Sequence, residues 1–168
     1  KIVFALTAAL GVTGMATSVS AEGFYAGASV GKFESESVGT TGDGSAYGVI
    51  VGYRLAASES VFVYAEGQVG KSDGTGDSGN TDFGNHGMVK IGVGTELGAN
   101  FTLAAHVGYV QQKWTHTTLG SQKDKGELYG VMLGYGLGEN TEIGLEYNRS
   151  FTDNGTNDSE GDWISLRL

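Results

Sequence analysis

Apolar residues occupy every second position in eight successive segments of the chain, and this period of two leaves little choice of fold class. A β-strand points successive side chains to opposite faces, so such alternation predicts strands, and no segment shows the spacing of an amphipathic helix. The segments are 24–33, 46–54, 61–70, 88–97, 101–113, 127–137, 140–149 and 162–168. The sequence therefore predicts an all-β protein with eight strands.

The connections between these segments alternate between long and short. Residues 34–45, 71–87, 114–126 and 150–161 are polar and rich in Gly, Asp, Asn, Ser and Thr, whereas 55–60, 98–100 and 138–139 are brief. Long loops at one end and tight turns at the other are typical of a transmembrane β-barrel. We therefore predict an eight-stranded antiparallel up-and-down transmembrane β-barrel, with its long loops outside the cell.

The two faces of the predicted strands differ in a way that separates a membrane barrel from a soluble one. One face is apolar and carries no charge, whereas the other is dominated by glycines with scattered charged residues. A soluble, lipocalin-like barrel would put the apolar face inside and a densely charged face in water. Glycine suits a crowded interior better than a solvated strand surface. The apolar face is therefore predicted to face lipid.

Aromatic residues fall at both ends of the apolar face. Two aromatic girdles flanking an apolar band are typical of outer-membrane barrels. The predicted inner girdle comprises Phe24, Tyr53, Phe101 and Tyr135, and the predicted outer girdle comprises Tyr47, Tyr109, Tyr129 and Tyr147.

The opposite face supplies charges of both signs to the predicted lumen. An eight-stranded barrel has room inside only for side chains, and buried charges must be paired. We expect a lumenal salt-bridge network in which Glu66, near the middle of its strand, contacts one of the basic members. The predicted network comprises Arg54, Glu66, Lys90, Glu96, Glu142, Glu146 and Arg167.

The first residues are predicted to be a targeting segment. Lys1 precedes an apolar run, and small residues lead to Ala21, the pattern of a signal peptide with its cleavage site. We expect residues 1–21 to be a signal peptide and residues 22–168 to be an outer-membrane β-barrel domain.

The stretch Gly23–Gly31 has the order aromatic–Tyr–x–Gly–x–x–x–Gly. It resembles the first strand of the small outer-membrane β-barrel family that includes the opacity-type proteins and the transmembrane domain of OmpA. The resemblance implies a location in the outer membrane of a Gram-negative cell. It also implies that a narrow, porin-like channel is an alternative function, because some members of that family are described as channels.

Several kinds of chemistry are disfavoured by composition. The chain has no Cys, which removes disulfides, thiol nucleophiles and Cys-ligated metals, and its net charge of −9 argues against nucleic acid. The histidines are His86 and His116, expected at loop edges, and His106, expected in the lumen. None has an obvious nucleophile and acid beside it, and Asp73–Asp82 lacks the glycine and closing glutamate of an EF-hand. We predict no catalytic residues, cofactor or metal.

The expected function is therefore structural or interactive, in envelope integrity or adhesion. The alternatives are the narrow channel and, less favoured, a lipid A-modifying enzyme. The expected partners are outer-membrane lipid and lipopolysaccharide, whose phosphates could contact Lys123 and Lys125, and a host or surface ligand bound through the loops. The predicted protein is a monomer.

Overall fold

The computed structural model describes residues 22–37, 40–76, 81–98, 100–118, 120–138, 140–153, 155 and 157–168, which form eight antiparallel strands. The strands are β1 (Gly23–Ser37), β2 (Thr40–Ala56), β3 (Val61–Gly76), β4 (Thr81–Leu97), β5 (Phe101–His116), β6 (Gly120–Gly136), β7 (Glu142–Asp153) and β8 (Asp158–Arg167). Each strand pairs with the next and β8 pairs with β1, so the sheet closes on itself. The predicted eight-stranded up-and-down barrel is confirmed. The predicted signal peptide, residues 1–21, lies outside the described residues.

The apolar face of the strands points outward. Val51 and Ile91 are 62% and 63% exposed, whereas the adjacent residues Ile50 and Lys90 are each 2% exposed. The lipocalin-like alternative required the reverse arrangement, so it is wrong. Nowhere in the described residues is there a helix of the length and hydropathy that crossing a membrane would require.

The strands continue much further than the alternation predicted. Segments predicted as loops pair in regular register, from Glu34↔Asp43 between β1 and β2 to His116↔Gly120 between β5 and β6. The prediction of long loops over 34–45, 71–87, 114–126 and 150–161 was wrong for most of their length. Backbone pairing needs no apolar side chains, so the ladder continues where the outward face becomes polar and the hydropathy signal fades.

These extensions give the barrel two distinct ends. The turn end carries the connections after β2, β4 and β6, and the opposite end is a wall of strands beyond the outer tyrosines. We call this wall the rim and define it as segments 32–37, 40–46, 72–76, 81–86, 111–116, 120–127, 149–153 and 158–162. Register shifts at Lys71/Thr75 and at Phe83/His86 mark irregularities in the rim part of β3 and β4.

Candidate functional site

Four charged side chains meet in the middle of the lumen, and we call them the lumenal charge cluster. The Lys90 ammonium lies 2.6 Å from Glu66 and 2.8 Å from Glu146, and the Arg167 guanidinium bonds the same two carboxylates. The Tyr25 hydroxyl donates to Glu66 over 2.9 Å. Each acid thus contacts both bases, so charge is balanced within the cluster, as burial requires.

A chain of hydrogen bonds extends from Glu146 of this cluster, on β7, through β5 to β3. The Asn148 amide nitrogen donates to Glu146 over 2.6 Å, which leaves its oxygen to accept from His106 Nε2, also at 2.6 Å. His106 Nδ1 is then the acceptor for the Tyr64 hydroxyl at 2.8 Å. All four side chains are buried, and their donors and acceptors match, which fixes the histidine tautomer.

The other predicted members of the network lie nearer the turn end. Arg54 is 3.9 Å from Glu142 and stacks 4.1 Å from the Phe62 ring centre, while Thr102 donates to Glu142 over 3.0 Å. Glu96 is half-buried and makes no salt bridge within the described part of the chain. The seven residues therefore divide into a central cluster of four, a separate pair and one carboxylate that stands apart.

Apolar layers lie on both sides of the lumenal charge cluster, and the sequence analysis missed them. The outer apolar layer, toward the rim, comprises Phe33, Ala46, Met88, Val110, Leu128 and Trp163, with Phe83 against it. The inner apolar layer, toward the turn end, comprises Phe62, Tyr64, Ala104 and Met132. Their signal was present in the alternation, because each of these residues occupies an inward position, but glycines and charged residues outnumber them on that face.

The outer apolar layer is built on aromatic rings in contact, one pair stacked and one edge-to-face. Phe33 lies 5.1 Å from Trp163 and 4.9 Å from Phe83, measured between ring centres. Met88 lies two residues rimward of Lys90 on β4, so the layer sits directly above the lumenal charge cluster. Phe33, Met88 and Trp163 are each at most 5% exposed. These apolar side chains occupy the lumen between the lumenal charge cluster and the rim.

One of the three histidines has an environment that the sequence did not indicate. His86 was expected at a loop edge, but it is buried in β4, 3.1 Å from the Ser72 hydroxyl and 5.3 Å from the Trp163 ring. The longer ladder explains this, because it carries β4 past the predicted loop. His116 lies at the end of β5 and accepts from the backbone nitrogen of Thr118 over 3.1 Å.

The outer wall of the barrel carries the predicted girdles as exposed rings. In the inner girdle, Phe24 contacts Tyr53 with ring centres 4.7 Å apart, and Phe101 contacts Tyr135 at 4.9 Å. In the outer girdle, the Tyr129 and Tyr147 hydroxyls donate to rim carboxylates of Glu127 and Asp162. All eight rings are between 37% and 78% exposed.

Charge is unevenly distributed around the rim. Glu34 on β1 lies opposite Asp43 on β2 and Asp162 on β8. On β5 and β6, at the other side of the barrel, Lys113 lies opposite Lys123. No group of three or more His, Asp or Glu among the described residues is arranged to hold a metal ion.

Comparison with known proteins gives a family and a set of similar folds. Residues 2–167 match the family model described as outer membrane protein beta-barrel domain. Ail, the attachment invasion locus protein of Yersinia pestis, is 14% identical, with a TM-score of 0.51 over 88% of this chain and 100% of Ail. Ail in complex with the heparin analogue sucrose octasulfate is 15% identical, with a TM-score of 0.52 over the same shares, 88% and 100%.

Neisserial surface protein A is 14% identical, with a TM-score of 0.57 over 86% of this chain and 96% of that protein. No curated protein matches the sequence. At these identities the structural likeness establishes the barrel fold.

Proposed function

The chain belongs to the outer membrane protein beta-barrel domain family, and we propose that it serves the cell surface as a closed, non-catalytic barrel whose rim makes the functional contacts. Its place is the outer membrane, with the exposed apolar wall against lipid. The proposed roles are adhesion and envelope integrity, carried out by a monomer.

The observation that carries this proposal is the filling of the lumen. From the turn end to the rim, the described lumen contains the inner apolar layer, then the lumenal charge cluster, then the outer apolar layer. Water and ions are poorly accommodated between packed apolar rings, because ions lose hydration there. A barrel closed in this way presents its outer surfaces, rather than its interior, to its surroundings.

The rim supplies such a surface. A strand that crosses a bilayer needs about 9–11 residues, whereas β1 to β6 each have 15–17. The additional residues pair in ladders that are regular except for the register shifts of β3 and β4, and they stand beyond the outer girdle. A rigid wall of this kind is suited to recognition, because its side chains are held in place before a partner arrives.

The names of the similar structures agree with a surface role. One is an attachment invasion locus protein, which has also been crystallised with a heparin analogue, and another is a neisserial surface protein. We extend to this chain only the general role of binding at the cell surface.

A catalytic role is disfavoured by the setting of the one Ser–His contact in the described lumen. Ser72 and His86 are within hydrogen-bond distance, but both are buried beside Trp163. No described carboxylate bonds the second nitrogen of His86, so the orienting acid of a hydrolase triad is missing. A lipid substrate would also have to displace the outer apolar layer to reach them.

The proposal is tested by shortening the rim without touching the lumen. Replacing residues 34–43 with an Asn-Gly turn would close the β1–β2 hairpin on the Phe33↔Gly44 pair. The full and shortened barrels are displayed on a laboratory Gram-negative strain, and adherence to epithelial monolayers and survival in bile salts are measured. A control carries Glu59→Gln and Ser60→Gly at the turn end, with surface amounts matched by labelling intact cells.

We expect the full barrel and the control to raise adherence or survival above the empty strain, and the shortened barrel to lose most of that gain. Equal behaviour of the full barrel and the empty strain in both assays would contradict the surface role. Equal behaviour of the full and shortened barrels would contradict the role of this part of the rim.

A further inference from the structure

Three lysines lie side by side on the outer wall of the rim. Lys113 on β5 lies directly opposite Lys123 on β6, and Lys125, the next outward residue of β6, lies opposite Gln111. All three side chains are exposed. Residues opposite each other on one face of an antiparallel pair have Cβ atoms about 4.5–5.5 Å apart, so the ammonium groups share one small area.

Within the described part of the chain, Lys113 and Lys123 face each other with no acid at the outward positions two residues along either strand. None of the three lysines makes a salt bridge there, although Arg149 on the neighbouring strand pairs with Glu160 at 2.5 Å. On the outward face, Glu127 accepts from Tyr129 over 2.7 Å, Asp153 lies opposite Lys125, and Asp82 lies opposite Thr115. Asp124, between the two β6 lysines, accepts from Trp114 over 2.7 Å. Like charges directly opposite one another destabilise a sheet. An anion bound between Lys113 and Lys123 would remove that cost.

The arrangement is also local rather than a general property of the surface. The chain as a whole carries a net charge of −9. On the other side of the barrel, rim carboxylates oppose one another, as at Glu34↔Asp43 and Glu36↔Glu160. Two other exposed outward lysines, Lys32 and Lys71, stand two residues from an outward acid, Glu34 and Asp73. Lys125 likewise stands two residues from Glu127, whereas Lys113 and Lys123 have no such neighbour. The lysines of β5 and β6 therefore form a separate basic patch.

The height of the patch indicates which anion it meets. Lys113 is four residues rimward of Tyr109, and Lys125 is four residues rimward of Tyr129. That separation is about 13 Å along a strand, and less in height because barrel strands are tilted. The side chains project sideways from the barrel wall, so their surroundings are the polar layer of the outer leaflet.

We propose that Lys113, Lys123 and Lys125 form a binding site for the phosphate groups of lipopolysaccharide in the surrounding leaflet. This deepens the proposed function, on which it rests for the orientation of the rim, by naming a lipid partner for one side of it. A phosphorylated glycolipid of the outer leaflet sits beside the wall, on the side to which the lysines point. Ammonium groups near an anionic membrane surface each strengthen the attraction.

The test uses the folded, full chain in phosphatidylcholine nanodiscs that contain diphosphoryl lipid A. The amount of lipid A bound per barrel is measured by native mass spectrometry. Dephosphorylated lipid A, inorganic phosphate and soluble heparin provide the comparison arms. Lys113→Gln/Lys123→Gln is compared with Lys32→Gln/Lys71→Gln, which removes the same charge from exposed outward positions at or next to the rim on the other side of the barrel. Retained heat-modifiable gel mobility shows that each variant is folded.

We expect diphosphoryl lipid A to bind more tightly than the dephosphorylated form. The Lys113→Gln/Lys123→Gln variant should bind about 30-fold more weakly, at roughly fivefold for each lysine, and the control variant should bind like the native chain. An equal loss in both variants, or no loss in either, would overturn the site. Tight heparin or inorganic phosphate binding that depends on Lys113 and Lys123, without lipid A binding, would overturn the lipid assignment. This experiment measures lipid binding and neither adherence nor ion conductance. A failure of the lipid site can therefore be told apart from a failure of the proposed surface role.

Discussion

Inward glycines and lumenal rings share the same space. A Cβ added at Gly92 would stand 2.5 Å from the Tyr64 ring and 2.6 Å from the Ala105 carbonyl oxygen. An added Cβ would likewise stand 2.2 Å from the Phe62 ring at Gly94 and 2.3 Å from the Tyr25 ring at Gly52. The sequence predicted that this face was crowded, but it gave no rule for which side chains did the crowding, because ring and glycine come from different strands.

Gly92→Val should therefore destabilise the barrel, whereas Gly67→Val should not. The first substitution forces the Tyr64 ring or the β5 backbone to move, at a cost of about 1–3 kcal/mol. Gly67 faces outward with open space within 4 Å of an added Cβ, and a β-branched residue suits a strand there. Urea unfolding in lipid vesicles, followed by fluorescence of Trp114 and Trp163, measures both. Equal losses would contradict the assignment of the two faces.

Removing one carboxylate from the lumenal charge cluster should lower the free energy of unfolding substantially. In Glu66→Gln, Lys90 and Arg167 would share the single charge of Glu146, and breaking a buried charge network costs on the order of 3–5 kcal/mol. Glu160→Gln breaks the half-exposed pair with Arg149 and should cost about 1 kcal/mol or less. The same unfolding assay compares them. Similar small losses would show that the cluster is solvated.

Strand length is the property of the elements that the sequence predicted least well. The apolar alternation located all eight strands, because a lipid-facing wall must alternate. Beyond the outer girdle both faces can be polar, as at Glu34 and Ser35, so the pattern no longer distinguishes a ladder from a loop. For the same reason the hydropathy pattern placed His86 and Lys123 in loops, although the register puts both in paired strands.

The β5–β6 register predicts that Lys123→Glu stabilises the barrel. The substitution replaces a like-charge pair with a Lys113–Glu pair on the same face, which should stabilise the barrel by about 0.2–1 kcal/mol. Lys125→Glu is the matched control, because it places a carboxylate opposite Asp153 and should be neutral or destabilising. Thermal unfolding monitored by gel mobility of unheated samples compares the two. A lower midpoint for Lys123→Glu would contradict the register.

The molecule as a whole combines a lipid-facing wall, a filled lumen and a rim of uneven charge. The sequence predicted the wall and the presence of lumenal charges. It did not predict the two apolar layers that close the lumen, because each layer depends on residues of different strands reaching the same level along the barrel. Phe33 and Trp163, for example, are far apart in the chain and stack because β1 pairs with β8.

Ion conductance across a planar bilayer tests this closure most directly. The native barrel is compared with Phe33→Ala/Trp163→Ala, which opens the outer apolar layer, after both have been shown to insert in folded form. We predict that the native barrel produces no discrete conductance steps, because ions would have to cross the apolar layers and the paired charges of Glu66, Lys90, Glu146 and Arg167. Reproducible steps from the native barrel would contradict a closed lumen and return the protein to the class of narrow channels.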